Sequence, residues 1–361
     1  MRKFLRKYII PAIIIGGICG IGVPSYAQNA NITLRLLPLD ADSTFLDKNL
    51  KFKTEHADSA AVFTELRIIV QQLQNQAYLE ASVDTVSRVG NTFVALLHVG
   101  KSYHWTTLAN GNVEAAFLDE SGFRQKLYQN KPLAPEQLQQ LLENLLASAE
   151  NNGYPFARVW LDSLQFDGER VSAKLMMEKN QLVLFERIEV ASQDSLKIST
   201  NYLSNYLGIK PGTPYDRSQI LKIRRRLREL PFVRVSRDPI VGFANDRATV
   251  KLFLEKRRAS RFDFLIGVLP NSAQVGRLLV TGSFDGELYN QFGRGERIFA
   301  EFEALRPQTQ ELNLQFNYPY VLNLPFGVDT KFHLYKRDST YLDVEADVGI
   351  QYLFEGGNYL K

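Results

Sequence analysis

Val83, Val159 and Val235 recur at an interval of 76 residues, and this spacing constrains the chain more than any single motif. An internal repeat sets the architecture, because each copy must bury its own apolar face or stack on a neighbour. The second and third copies agree best. Pro155, Phe156, Arg158 and Val159 return as Pro231, Phe232, Arg234 and Val235. Lys174-Leu175 and Glu178-Lys179 return, one residue out of step, as Lys251-Leu252 and Glu255-Lys256. The first copy, Tyr78 to Val83, matches more weakly. A unit of this length can close a small core, so the repeats read as beads on a string rather than as a solenoid.

Within each unit the hydrophobic period changes in the same order. A short strand opens it, at Ile32–Leu37, Thr106–Ala109 and Leu182–Val190. A helix is predicted next, over Ala60–Gln74, Ala134–Glu150 and Tyr215–Leu230. In the last, Ile220, Ile223, Leu227 and Leu230 line one face. Two strands close the unit around polar turns such as Phe166-Asp-Gly-Glu169 and Ala244-Asn-Asp246.

From Arg261 the helical period ends and a period of two takes over. Six strands are predicted: 261–269, 276–288, 296–305, 308–318, 327–336 and 341–354. In the fourth, Leu312, Leu314, Phe316 and Tyr318 alternate with Glu311, Asn313, Gln315 and Asn317. Such a strand has one greasy and one wet face. It suits a soluble sandwich, with the apolar face in a core, or a transmembrane barrel, with that face against lipid and the other lining the lumen. The connections favour lipid. Arg306–Gln310 and Lys336–Thr340 are wholly polar, whereas the opposite set carries Tyr289, Phe292, Tyr318, Tyr320 and Phe326, and aromatic rings favour a membrane interface.

The N-terminus agrees with an exported protein. Arg2, Lys3, Arg6 and Lys7 precede an apolar run over Tyr8–Val23, and Ser25-Tyr26-Ala27 supplies small residues for cleavage before Gln28. An anchor helix is the rival reading, but the run is shorter than the roughly 20 residues a span needs and contains Pro11 and four glycines. Cleavage would remove Cys19, the single cysteine, and exclude disulfides from the mature chain. A net charge of +4 and the absence of aromatic interleaving in the basic stretch give no argument for nucleic acid.

The β-α-α-β-β order, in three copies between a signal peptide and amphipathic strands, resembles the POTRA domain. Asn290-Gln-Phe292-Gly293-Arg-Gly295-Glu296 resembles a turn of the BamA/TamA outer-membrane assembly factors, and Asn317-Tyr-Pro319-Tyr320 resembles their Asn-Pro-Tyr turn with one tyrosine inserted. The implied fold class is α+β POTRA repeats followed by an all-β antiparallel transmembrane barrel segment. The division expected is a signal peptide at 1–27, POTRA-like units at 28–101, 102–180 and 181–257, and the first part of a barrel at 258–361. Six strands cannot close a barrel of the bacterial kind, which has eight or more, so the chain reads as the N-terminal part of a longer protein with open sheet edges.

The resemblance implies outer-membrane location with POTRA-like domains in the periplasm, and insertion of unfolded outer-membrane protein clients with accessory assembly proteins possible. A two-partner-type secretion pore and a periplasmic scaffold or adhesin are the alternatives. No enzyme and no cofactor is expected: His56, His98, His104 and His333 are scattered, and no Gly-x-Ser-x-Gly elbow or phosphate-binding loop occurs. Lys222, Arg224, Arg225, Arg226 and Arg228 form the most basic stretch, suited to anionic lipid or an acidic client edge, or to a solvated helix face.

Overall fold

The computed structural model describes residues 32–192, 196–269, 279–304 and 308–360. The signal-peptide reading over 1–27, the start of the second amphipathic strand at 276–278, and Leu305, Arg306 and Pro307 lie outside them. The chain divides into two compact units, Met1–Ser102 and Tyr103–Lys361.

In the first unit, β1 (Ile32–Pro38), α1 (Ser43–Asn49), β2 (Glu55–His56), α2 (Ser59–Asn75), β3 (Ser82–Val89) and β4 (Thr92–His98) form a four-stranded sheet of order β2-β1-β4-β3. β1 runs parallel to β4, and β3 pairs with β4 as an antiparallel hairpin. Asp58 caps α2 by accepting from the Ala61 N–H at 2.7 Å. The helix buries Val62, Leu66, Ile69 and Leu73 against Phe93, Ala95 and Leu97 of β4.

The second unit repeats that plan twice. β5 (His104–Ala109), α3 (Ala115–Ser121), α4 (Pro135–Asn151), β6 (Arg158–Asp167) and β7 (Arg170–Glu178) give a sheet of order β5-β7-β6. β8 (Leu184–Ala191), α5 (Thr200–Leu207), α6 (Arg217–Glu229), β9 (Val233–Ala244) and β10 (Arg247–Lys256) give β8-β10-β9. In both, the first strand is parallel to the last and the last two form a hairpin. The short helices α1, α3 and α5 span 7, 7 and 8 residues, about two turns, too few for periodicity to reveal.

These two repeats are not separate beads. The Val183 N–H donates to Gly153 O at 2.8 Å, the Ser218 N–H to Asn151 Oδ1 at 3.0 Å, and Arg217 pairs with Glu150. Phe156 meets Phe243 edge-on at 5.0 Å between ring centres, and Phe243 in turn meets Tyr215 at 5.4 Å.

The remaining strands form one antiparallel meander: β11 (Arg261–Leu269), β12 (Leu279–Tyr289), β13 (Arg297–Ala304), β14 (Thr309–Tyr318), β15 (Phe326–Arg337), β16 (Tyr341–Leu353) and β17 (Tyr359–Leu360). The sheet is not closed; β11 and β17 are its edges. Its register sorts the faces row by row. Phe264, Phe284, Phe302, Leu312, Leu334 and Val344 are successive cross-strand partners. The adjacent row is Asp263, Asp285, Glu301, Asn313, His333 and Glu345. On the polar side Asn313 Nδ2 donates to Glu301 at 3.1 Å and Asn313 Oδ1 lies 2.6 Å from His333 Nδ1. On the apolar side Phe264, Ile266, Val348 and Ile350 are 65%, 72%, 77% and 70% exposed, and no described part of the chain covers them.

A side chain just past the first strand fastens two of the repeat sheets. Asp40 accepts from the N–H groups of Val99 and Gly100, each at 2.8 Å. Asn112 donates to Met177 O at 2.9 Å and accepts from its N–H at 2.8 Å. Slight burial pushes the Asp40 pKa up, but the Val99 and Gly100 donors and nearby His98 outweigh it and hold the carboxyl below the usual aspartate value. A carboxyl with a depressed folded-state pKa contributes stability above its unfolded value, which is lost as pH falls through the folded one. Amide exchange at Val99 and Gly100 is therefore expected to accelerate, beyond the intrinsic rate change, below about pH 4, while exchange at Met177 is not. Asn112→Ala is expected to accelerate Met177 exchange at neutral pH and to cost about 1–3 kcal/mol in urea unfolding.

Candidate functional site

The residues singled out from sequence converge where the third repeat meets the sheet. Three connections of the sheet dock there: the turn after β12, the turn after β14 and the segment after β16.

In the first turn, Asn290 adopts φ 54°, and its backbone N–H donates to Glu296 O at 2.8 Å. Its side chain works in both directions, accepting from the Gly295 N–H at 2.9 Å and donating to Lys197 O of the third repeat at 2.8 Å. The Ser199 N–H donates to Gly293 O at 2.7 Å, adding a backbone tie to the start of α5. Gly295 has φ +75°, and a Cβ there would stand 2.3 Å from the Tyr202 ring. Only glycine lets the turn lie flat on that ring. Glu296 is fully buried, and its carboxylate accepts from the N–H groups of Phe292 at 2.5 Å and Arg294 at 3.1 Å. Burying a carboxylate is tolerable only with such donors. Phe292 itself projects outward, 66% exposed.

In the second turn, Pro319 precedes Tyr320, which sits in left-handed backbone at φ 51°. Tyr320 is buried and meets Tyr202 edge-on at 5.9 Å; Tyr202 stacks on Tyr206 at 5.8 Å. By sequence the aromatic turn places Tyr320 at the membrane interface. Its ring instead joins the apolar core of the third repeat, together with Leu353 from the end of β16. Burial pushes the Tyr320 phenol up to about 12, with Arg226 lowering it and Glu355 raising it. Burial likewise raises Tyr202 and Tyr206. All three phenols stay protonated at neutral pH. Tyr206 donates to Arg226 O at 3.0 Å, and Tyr320 to Phe354 O at 3.4 Å. Asn317 points to the polar side, with Nδ2 3.4 Å from Gln351 Oε1.

The third connection is clamped by charge. Arg226 Nη2 reaches Glu355 Oε2 at 2.9 Å and Nη1 reaches Leu207 O at 2.5 Å. Arg226 is therefore not available to lipid or a client: it is buried, with its guanidinium committed to the clamp. The reason is helical geometry. Residues 223, 226, 227 and 230 share the inward face of α6, so one arginine of the basic run must turn in. Lys222, Arg225 and Arg228 remain exposed, and Arg224 is exposed but paired with Asp238 at 2.5 Å.

Leu312, Leu314, Phe316 and Tyr318 share the apolar side of β14 by register with Phe302, Ala300, Ile298 and the preceding turn. Arg294 Nη1 donates to the Tyr318 hydroxyl at 2.5 Å. Sequence reasoning missed Tyr202, Tyr206, Glu296 and Glu355. The pair Tyr202–Tyr206, spaced four apart in a helix, carried a signal for a shared face. Among the described residues no group of three or more His, Cys, Asp or Glu is placed to hold a metal ion. The arrangement is a mechanical joint.

Arg226→Ala removes a donor to a buried carbonyl and to Glu355, and is expected to lower stability by about 1–3 kcal/mol in urea unfolding. Arg225→Ala, next to it in sequence but exposed, is expected to stay within about 0.5 kcal/mol. Protease sensitivity at 354–358 should rise for the first variant alone.

A family model described as POTRA, surface antigen variable number repeat, matches residues 183–255. No curated protein matches the sequence. Among solved structures, BamA from Haemophilus ducreyi lacking POTRA domains 1–3 is 13% identical, with TM-score 0.42, over 67% of this chain and 46% of that one. BamA POTRA3–5 from Haemophilus influenzae is 15% identical, with TM-score 0.41, over 63% and 97%. CdiB from Acinetobacter baumannii is 11% identical, with TM-score 0.42, over 82% and 59%. This chain thus spans less than half of the first BamA chain. The family match falls on the third repeat, β8 to β10, and is to a POTRA repeat of the surface-antigen type.

Proposed function

We propose that this chain is the periplasmic arm and first barrel strands of an outer-membrane protein that inserts β-barrel clients into that membrane. The observation that carries the reading is the one-sided sheet: its apolar face is bare, and it is seated on a POTRA repeat. Exposed apolar area on that scale marks a surface meant for lipid or a partner. In a bilayer, unpaired backbone groups are costly, so the free edge of β11 favours pairing with an incoming client strand. The edges of the repeat sheets offer the same kind of pairing to an extended client in the periplasm. Accessory proteins would dock on the repeats. The signal peptide, the division into three POTRA-like units at 28–101, 102–180 and 181–257, and the sheet from 258 onward all belong to this reading. It assigns no catalytic group and no cofactor.

The protein is expected in the outer-membrane fraction, and its depletion should lower many unrelated outer-membrane barrels together. Loss of a single secreted protein, with barrel levels unchanged, would overturn insertion in favour of export. Position on β14 should decide the effect of a charge. Leu314→Arg places a guanidinium on the apolar face and is expected to cost about 2–4 kcal/mol in lipid. Asn313→Arg puts the same group beside Glu301 and in the acid-rich row, and should be far better tolerated. Equal damage by both, measured by urea unfolding in lipid, would reverse the assignment of the faces.

A further inference from the structure

Beneath the first sheet strand lies a pocket of about 630 Å³ that shares Lys197 and Asn290 with the joint described above, though the joint engages only the backbone carbonyl of Lys197 and leaves its ammonium free of it. Lys197, Lys256, Arg257 and Arg258 line it, and among the described residues no carboxylate does. All four cations are exposed, and none makes an ion pair among the described residues. Elsewhere in this unit Arg217, Arg224, Arg226, Arg234 and Arg297 are each matched by an acid. Four cations without an acid partner therefore concentrate positive charge around one concavity. Ser260 adds directionality. Its Oγ accepts from the Tyr289 N–H at 3.1 Å and from Gln291 Nε2 at 3.1 Å, which leaves its own O–H to donate into the pocket.

Guanidinium and ammonium groups with a hydroxyl donor suit an anion with several acceptor oxygens, above all a phosphate. The position narrows the source. Two residues beyond Ser260, Phe262 begins the apolar row of β11 and is 70% exposed. Tyr289, which lines the pocket, closes β12 at the same end. The pocket therefore sits at the rim of the surface read as lipid-facing, where lipid headgroups would lie.

We propose that this pocket is a phosphate site that takes the headgroup of an anionic phospholipid from the leaflet facing the third repeat; the lipid source, though not the phosphate chemistry, rests on the membrane reading above. A lipid held there would pin the base of β11 to the bilayer surface beside the repeat.

The test uses the full chain in a non-ionic detergent, with short-chain phosphatidylglycerol, short-chain phosphatidylcholine and inorganic phosphate as probes in calorimetry. Phosphatidylglycerol is expected to bind more tightly than the other two. Arg257→Gln/Arg258→Gln should weaken it about tenfold or more, from the loss of two headgroup cations. Lys222→Gln/Arg225→Gln removes the same charge from the exposed face of α6 and should leave binding within about twofold. Near-ultraviolet circular dichroism of the tyrosine cluster should be unchanged in both. Inorganic phosphate binding as tightly as the lipid, with the same variant dependence, would uphold the site and reassign its source to soluble phosphate. Equal weakening by both variants, equal binding of phosphatidylcholine, or no binding by the wild type would overturn it. Flotation of the same chain on neutral phosphatidylcholine vesicles reads the apolar face separately, so failure of the membrane reading is distinguishable from failure of the site.

Discussion

The arrangement depends on one shared core. Tyr320 and Leu353 belong to the sheet by sequence, yet their side chains pack with Tyr202, Tyr206, Leu203 and Leu207 of α5 and with Ile223 and Leu227 of α6. The third repeat thus completes its apolar interior only when the sheet's connections close over it. A stack of tyrosines suits this role, because each ring brings a large apolar area and a hydroxyl that still needs a partner. Tyr206 and Tyr320 find theirs in carbonyls of α6 and of the segment after β16, which fixes orientation as well as contact.

Around that core, the polar groups are arranged so that few are stranded. Glu296 is buried but answered by two backbone N–H groups, and Arg226 is buried but answered by a carboxylate and a carbonyl. Among the described residues a single buried side-chain oxygen, Gln219 Oε1, lacks a partner. Removing either charge would leave donors or acceptors unsatisfied in low dielectric, where the loss is larger than the net worth of the bond. With the ties between the second and third repeats, this makes the region from Tyr103 onward one compact unit.

The sequence made the repeat plan and the strand faces legible because both rest on period. Valines 76 residues apart and the alternation along β14 need no tertiary knowledge. The short helices were invisible for the opposite reason, since about two turns give no periodic signal. The basic run of α6 shows a different limit. Composition marks five cations as one feature, whereas the helix sends Arg226 inward and leaves Arg225 out. Tyr320 shows a further limit, because in sequence an aromatic turn looks the same whether its ring meets lipid or a neighbouring core. Glu296 stood in the quoted turn, but nothing in a sequence distinguishes a buried, fully hydrogen-bonded glutamate from an exposed one.

Charge is segregated in a way the net value of +4 conceals. One row across the sheet's polar face carries Asp263, Asp285, Glu301 and Glu345, with Asn313 and His333 between them. The next rows add Glu303, Glu311 and Asp343 on one side, and on the other Glu287 and Asp347 with Arg261 and Lys331 among them. Cations instead gather at the joint and on α6. Like charges held close on one face raise the potential there, and a low-dielectric wall behind the face strengthens it. Pairing explains why the sheet tolerates this: Arg297 and Arg261 both reach Glu287, and Asn313 donates to Glu301. A second neutral donor in place of a cation at Asn313 satisfies geometry without cancelling the field. The acid-rich face thus keeps its sign beside a pocket whose cations, Lys197, Lys256, Arg257 and Arg258, keep theirs, so the start of β11 lies between opposite potentials.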